Sequence, residues 1–394
     1  MTRNVALLGS TGSIGRQTLE VLENLGPDFR VAVLTANKNY ALLAQQVRRY
    51  KPGLAVLSDR SAAEKLSREI DPGLCRIEAG AGAQVLAATW PGVDLVVAAL
   101  VGFSGFAPVV AALKAGKTVA LSNKESLVVG GELLEREGLL KREKLLPVDS
   151  EHSAIWQCLG NTAVSRVNRI WLTASGGPFR DWPREKLSAV TPRQALNHPN
   201  WSMGPKITVD SATLMNKGFE VLEARWLFGI DLNRIEVVIH PQSIVHSAVE
   251  YIDGSVLAQL GLPDMRTAIQ YALTFPDRRP TRLPRLNLFN QKLTFYEPDR
   301  DRFPCLDLAF QAGRSGGTAP ACLNAANEVA VDYFLQGKLT FTGIPEVIDA
   351  VLQEHRPVSA PGMEEIMAAD QWARQKAREL VENPRNRSWC ICKP

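Results

Sequence analysis

Between residue 4 and about residue 148, short apolar runs alternate with amphipathic segments, and this alternation leaves few folds open to the chain. NVALLG, FRVAVLTA, LAVL, DLVVAALVG, KTVALS and LLPVD read as six strands, each separated from the next by enough residues for a crossover helix. Near-continuous apolar strands joined in this way lie parallel and are covered on both faces. The prediction is an α/β fold: a Rossmann-like, doubly wound parallel sheet at the N-terminus.

Directly after the first strand the chain reads Gly9-Ser10-Thr11-Gly12-Ser13-Ile14-Gly15 and opens a helix. Glycines there let backbone N–H groups approach a pyrophosphate at the helix N-terminus. The G-x-x-G-x-x-G spacing departs from the commonest fingerprint, but its place at the first strand-to-helix turn points to a dinucleotide. The second strand ends at Asn37-Lys38-Asn39, where an NAD-selective enzyme has an acidic residue for the ribose hydroxyls. A cation flanked by amides favours a 2′-phosphate, so NADP(H) is expected. The competing reading makes Lys38 a solvated surface lysine and requires NADH to serve equally well.

From residue 150 to about 275 the strands RIWLTAS, IEVVIH, IVHSAVEY and SVLAQLG lie close together, with a hairpin signal at Asp253-Gly254. This predicts a central α+β domain with an antiparallel or mixed sheet. The Pro- and Arg-rich stretch from Phe275 to Gln291 reads as linker, and helical sequence follows. The expected organisation is a nucleotide domain at 1–149, an α+β domain at 150–274, a linker at 275–302 and a C-terminal α-helical domain at 303–394.

The stretch His198 to Glu220 gathers His, Trp, Asn, Lys and Glu around one predicted helix start. Met215, Phe219, Leu222 and Trp226 recur at helical spacing within Val209 to Phe228, predicting one helix with Asp210 or Ser211 as its N-cap. Its other side carries Thr213, Asn216, Lys217 and Glu220. A wet face is the ordinary reading of such a side, but a helix N-terminus with Ser, Asn and Lys nearby suits a phosphate. The preceding loop, 195–205, holds Trp201 and Met203, large apolar groups that suit a closing flap.

Asp149-Ser150-Glu151-His152 follows the last strand of the first sheet, at a carboxyl edge where open α/β sheets place ligands. On an extended backbone Asp149 and Glu151 point to one side, and with Glu220 they would offer hard oxygen donors for Mg²⁺ or Mn²⁺. Four of the five histidines, His152, His198, His240 and His246, fall in the central part, without H-x-x-x-H spacing. Positioning or polarising roles are expected of them, and His240 reads as a hydrogen-bonded core histidine.

Composition narrows the partners. A charged fraction of 22% and a net charge of +4 spread along the chain supply no basic tract for nucleic acid. No apolar run reaches the roughly 18 residues of a membrane span. The six cysteines, at 75, 158, 305, 322, 390 and 392, lack metal-binding spacing and suit a reducing compartment. The first strand begins by residue 4, so a bacterial-type cytoplasmic location is expected, or the plastid stroma after removal of a transit peptide.

With these residues assembled, the chain resembles the 1-deoxy-D-xylulose 5-phosphate reductoisomerase family. The segments GSTGSIG, SNKES, LLPVDSEHSAIWQ, ASGGPF, HPNWSMGPKITVDSATLMNKGFE, IHPQSIVHS, DGSVLAQLG, PDMRT and LNAANE carry the resemblance over nearly the whole chain. It implies an NADPH-dependent oxidoreductase that rearranges and reduces a sugar phosphate to 2-C-methyl-D-erythritol 4-phosphate, for isoprenoid precursors, with Mg²⁺, Mn²⁺ or Co²⁺. The rearrangement it implies is a retro-aldol cleavage and recombination. It further implies a homodimer, metal ligands at Asp149, Glu151 and Glu220, and a substrate set of Ser175, Ser211, Asn216 and Lys217, with His198 reaching in from the flap. Lys124 and Ser150 would approach the reacting centre with His152 beside them. Thr11, Gly12, Ser13, Ile14, Asn37, Lys38, Asn39, Asn123, Glu125 and Gly204 would contact the cofactor. The family often has Gly-Lys-Asn where this chain has Asn37-Lys38-Asn39. Two rivals are a dehydrogenase without rearrangement, whose rate a chelator leaves unchanged, and a redox sensor that binds NADP(H) without oxidising it.

Overall fold

The computed structural model describes residues 2–383, so Cys390 and Cys392 lie outside the described residues. Two compact units emerge. One comprises the chain up to Ser126 with Gly138–Ser153 and Asp264–Pro284; the other comprises Leu127–Glu137, Ala154–Pro263 and the chain from Arg285 on. The chain passes between them within two helices, Glu125–Arg136 and Ser150–Leu159.

The first unit is built on a seven-stranded sheet: β1 (Arg3–Leu8), β2 (Phe29–Ala36), β3 (Leu54–Leu57), β4 (Arg76–Ala79), β5 (Leu95–Ala98), β6 (Thr118–Leu121) and β7 (Leu145–Pro147). Every pairing is parallel and the order is β4-β3-β2-β1-β5-β6-β7. The order reverses direction at β1/β5, and ligands bind at the strand carboxyl ends beside such a reversal. Val5, Ala6, Leu7 and Leu8 of β1 are all fully buried, as a central strand covered on both faces requires.

One strand escapes the apolar pattern. β4 (RIEA) carries Arg76 and Glu78 on the sheet edge and buries none of its residues, so six apolar runs predict six strands and the seventh is silent. The helix Met265–Thr274, which the sequence places in the central region, belongs to this first unit. Arg3 donates to its Leu273 carbonyl at 2.9 Å, and Arg266 pairs with Glu20 and Asp264.

In the second unit β8 (Val167–Ala174), β9 (Ile235–Ile239), β10 (Val245–Tyr251) and β11 (Val256–Leu260) form a sheet in the order β11-β10-β8-β9. β9 runs parallel to β8, while β10 is antiparallel to both of its neighbours, so the sheet is mixed. Gly254 takes φ +83° in the β10–β11 turn, where the Asp-Gly pair predicts a hairpin. Part of the expected linker is engaged: Tyr296 and Ile239 exchange backbone hydrogen bonds at 2.8 and 2.9 Å. Four helices follow, Cys305–Ser315, Ala319–Leu335, Gly343–Glu354 and Met363–Glu382, with Ala319–Leu335 the most buried.

Two local expectations need correction. The stretch from Val209 to Phe228 forms two helices, Pro205–Ala212 and Met215–Phe228, separated by Leu214 at φ +62°. Asp210 and Ser211 therefore lie inside the first helix and cap neither. The apolar stripe itself is present, with Met215, Phe219 and Leu222 buried. The second correction concerns Asp149-Ser150-Glu151, which is not extended. A helix starts at Ser150, and Asp149 Oδ1 accepts hydrogen bonds from the N–H groups of Glu151 (3.1 Å) and His152 (3.4 Å), as an N-cap does.

Candidate active site

Within the first unit the glycine loop is tightly constrained. A Cβ on Gly9, which takes φ +88°, would stand 2.5 Å from the Ala99 carbonyl oxygen. A Cβ on Gly15 would meet the Gly9 oxygen at 2.2 Å, so only glycine lets the helix begin against the loop. Gly12 is the N-cap of helix Ser13–Leu25 and supplies no side-chain acceptor, which leaves the first turn to an external anion. Thr11, Ser13 and Ile14 are half-buried around it.

Asn37, Lys38 and Asn39 are exposed beyond β2. Asn39 is also an N-cap, its Oδ1 accepting from Leu42 N at 3.1 Å, which orients the helix Tyr40–Tyr50. Asn123 is buried, with Nδ2 donating to the Gly102 carbonyl at 2.9 Å and facing Glu125 Oε2 at 3.0 Å.

Beside these groups Lys124, only 5% exposed, sets Nζ 2.7 Å from Asp149 Oδ2. His152 is fully buried with Nδ1 3.1 Å from Asp149 Oδ1, and Ser150 Oγ donates to Glu151 Oε2. Asp149 is thus oriented by an ammonium, an imidazole and two backbone N–H groups. Such charge-assisted bonds hold a carboxylate in one geometry.

The second unit assembles another polar cluster. Ser175 follows β8, and its Oγ lies 3.0 Å from His198 Nε2 and accepts from Gly177 N at 3.2 Å. His198 Nδ1 accepts from the N–H groups of Asn200 and Trp201, both at 3.1 Å, and burial pulls its pKa down to about 4. The loop at 195–205 is tethered by Asn200, whose Nδ2 donates to Pro241 O at 2.7 Å and Ser243 Oγ at 2.9 Å. Trp201 and Met203 are half-buried and Gly204 is the exposed N-cap of Pro205–Ala212. The Trp201 ring centroid lies 6.4 Å from that of His246.

Glu220 is 1% exposed, held by Asn216 Nδ2 at 2.6 Å and by Lys217 Nζ. Ser211 sits at the end of the preceding helix. A Cβ on Gly177 would stand 2.8 Å from the Ser211 carbonyl oxygen, so the Ser175 loop presses on that helix end.

Four groups were not singled out by sequence reasoning: Asn200, Lys206, Asp210 as a buried ion-pair member, and Glu223, which is fully buried. Glu223 had a usable signal, since it stands at i+3 from Glu220 on one helix. His240 is a core histidine, as its sequence setting predicts, with Nδ1 2.9 Å from Thr294 O and Nε2 accepting from Ile244 N at 3.2 Å. The described cysteines are free thiols, and burial raises Cys75 to about 11 and Cys305 to about 12, which removes thiolate chemistry.

A glycine-rich nucleotide loop, with the buried, lysine-paired carboxylate of Asp149 just beyond the carboxyl end of β7 in the same unit, defines an enzyme of the dinucleotide-dependent oxidoreductase class. Models of the 1-deoxy-D-xylulose 5-phosphate reductoisomerase and of its C-terminal domains match residues 5–131, 145–228 and 260–376. The chain is 54% identical over 383 residues to the 1-deoxy-D-xylulose 5-phosphate reductoisomerase of Pelotomaculum thermopropionicum, covering 97% of this chain and 99% of that protein. It is also 54% identical over 385 residues to the enzyme of the same name from Moorella thermoacetica, at 97% and 99% coverage. The Zymomonas mobilis reductoisomerase in complex with NADPH superposes with a TM-score of 0.89 at 43% identity, over 97% of this chain and 100% of that one. A DOX-P reductoisomerase in complex with NADPH, fosmidomycin and magnesium gives 0.90 at 39% identity, over 97% and 100%. The chain belongs to the 1-deoxy-D-xylulose 5-phosphate reductoisomerase family.

Proposed function

We infer that this enzyme converts 1-deoxy-D-xylulose 5-phosphate to 2-C-methyl-D-erythritol 4-phosphate, using NADPH and a divalent metal ion. The observation that carries this is identity of 54% running through 97% of the chain, with both the glycine loop and the carboxylates in place. When bound, NADPH supplies the hydride and the divalent ion supplies a Lewis acid for the substrate oxygens.

The residues fit both groups. A loop that a Cβ would fill, followed by a helix start without a side-chain cap, suits a pyrophosphate. Exposed Lys38 would pair with a 2′-phosphate, with Asn37 and Asn39 beside it, while Asn123, Glu125 and Gly204 would complete the cofactor contacts. Asp149, Glu151 and Glu220 would hold the ion, since carboxylate oxygens suit a hard cation such as Mg²⁺ or Mn²⁺.

In our reading Lys124 keeps an ammonium proton at the reacting oxygens and His152 fixes the orientation of Asp149. Ser175, Ser211, Asn216 and Lys217 take the substrate phosphate with His198. The flap then covers it with Trp201 and Met203 and excludes water, so binding energy from the remote phosphate serves the chemistry.

We further propose a homodimer and a cytoplasmic location. The edge strand β11 leaves Val256 and Leu257 about half exposed, with Ile252 63% exposed nearby, an open edge of the kind that pairs with a second copy. Among the described residues no helix is long and apolar enough to cross a membrane. The activity is tested by following NADPH absorbance with 1-deoxy-D-xylulose 5-phosphate and Mn²⁺. Oxidation that requires both and stops with chelator supports it; chelator-insensitive oxidation would refute the metal-dependent rearrangement.

A further inference from the structure

The LNAANE motif, Leu323–Glu328, has no task in the site just described, yet it buries polar side chains deeply. Asn324 and Asn327 are both fully buried in the helix Ala319–Leu335. Asn324 donates to Glu328 at 3.0 Å, and Glu328 in turn pairs with Arg374 at 2.8 Å. Asn327 is tied to a different segment. Its Nδ2 donates to Asp210 Oδ1 at 2.8 Å, and Asp210 Oδ2 lies 2.9 Å from Lys206 Nζ.

The amide orientation of Asn327 follows from its partner, because flipping it would set a carbonyl oxygen against a carboxylate. In this orientation Asn327 Oδ1 has no hydrogen-bond donor among the described residues. Burying an unsatisfied oxygen is unfavourable, so an apolar side chain would suit this position better unless the donor has work to do.

That work concerns the helix Pro205–Ala212. At eight residues it is too short to hold itself, so tertiary anchors set its position. Two of them flank Ser211. The Gly177 backbone presses on the Ser211 carbonyl, and Asn327 grips Asp210. We propose that Asn327 is a positioning residue for substrate binding: through Asp210 it fixes the rotation and depth of this helix, and hence where Ser211 meets the substrate phosphate. The proposal rests on the reading of Ser211 as a phosphate-site residue.

The test compares Asn327→Leu, Asn327→Asp, Asp210→Asn, the paired Asp210→Asn/Asn327→Asp variant and Ser211→Ala in the full chain. Asn327→Leu should raise KM for 1-deoxy-D-xylulose 5-phosphate roughly tenfold or more, since a hydrogen bond to a buried charge is lost. NADPH affinity, read by fluorescence titration, should fall much less than substrate affinity, because the glycine loop is untouched and Gly204, at the opposite end of this helix from Asp210, is the part read as a cofactor contact. Asn327→Asp sets two carboxylates together and should raise KM further. The paired variant exchanges donor and acceptor and should bring KM back towards the wild-type value. A lower Tm with unchanged KM in Asn327→Leu would overturn the proposal, as would a paired variant no better than Asn327→Asp. If Asn327→Leu does not fold, the paired variant must outperform Asp210→Asn alone or the proposal fails. Unchanged KM in Ser211→Ala would sink the phosphate reading itself; raised KM there with normal Asn327→Leu overturns only the role of Asn327.

Discussion

His198 donates to Ser175: its Nε2 lies 3.0 Å from Ser175 Oγ, and its Nδ1 already accepts from the N–H groups of Asn200 and Trp201. The ring is therefore neutral with its hydrogen on Nε2. Ser175 Oγ also accepts from Gly177 N, so the serine's own hydrogen is left to donate to a ligand oxygen. One imidazole thus sets both the start of the 198–201 loop and the direction in which the Ser175 hydroxyl donates.

This arrangement gives a pH dependence with a definite sign. Burial lowers the His198 pKa to about 4, from the 6.5 of a free side chain. Between those values the unfolded chain binds a proton that the folded chain refuses, so the stability present above 6.5 declines as pH falls towards 4. Urea denaturation at pH 7 and pH 4.5 should show a larger loss in the wild type than in His198→Asn. Equal losses would show that His198 titrates normally.

Lys124→Met removes the ammonium 2.7 Å from Asp149 Oδ2 while the His152 imidazole and the backbone N–H groups of Glu151 and His152 still hold Oδ1. Turnover should fall about 100-fold or more, as when a preorganised charge is removed from a reacting centre. NADPH affinity measured by fluorescence should be nearly unchanged. Normal turnover would remove Lys124 from the chemistry.

Lys38 is exposed beyond β2, so replacing it disturbs no packing. Lys38→Asp should cut the NADPH-over-NADH preference about tenfold or more, because a carboxylate repels the 2′-phosphate and suits the ribose hydroxyls instead. The ratio of kcat/KM values for the two cofactors checks this; an unchanged ratio makes Lys38 a solvated surface residue.

Gly15→Ala places a methyl group 2.2 Å from the Gly9 oxygen and 2.6 Å from Ser10 Cα, both backbone atoms that cannot swing aside. The helix must retreat from the loop. Calorimetric titration should show NADPH affinity reduced about tenfold or more, since the close approach of N–H groups to the pyrophosphate is lost. Wild-type affinity would mean that the loop tolerates the shift.

The parts of this fold that sequence reveals are those with a period. Six buried parallel strands and the four strands of the second sheet all show apolar runs, whereas β4 has only Ile77 and Ala79 between charges and shows nothing. The break at Leu214 is hidden for the opposite reason: Met215, Phe219 and Leu222 sustain the helical stripe, and no glycine or proline marks the positive φ. At the site, residue type pointed to Asp149, Glu151, Lys217, Glu220 and His198, while Lys124 and Ser175 came from the family resemblance. The Asp149 cap depended on where a helix begins, and the Asp210–Asn327 bond joins positions 117 residues apart, so neither leaves a local signal.

Glu220 is held by Lys217 and Asn216, so Glu220→Gln keeps the shape of its side chain while removing the charge. Metal-dependent turnover should be abolished with NADPH affinity nearly intact. The most direct test of the account is an anomalous map from crystals grown with Mn²⁺. It predicts one peak, roughly 2.0–2.3 Å from carboxylate oxygens of Asp149, Glu151 and Glu220 together. A map with no peak there, or a peak touched by only one of the three, would contradict it.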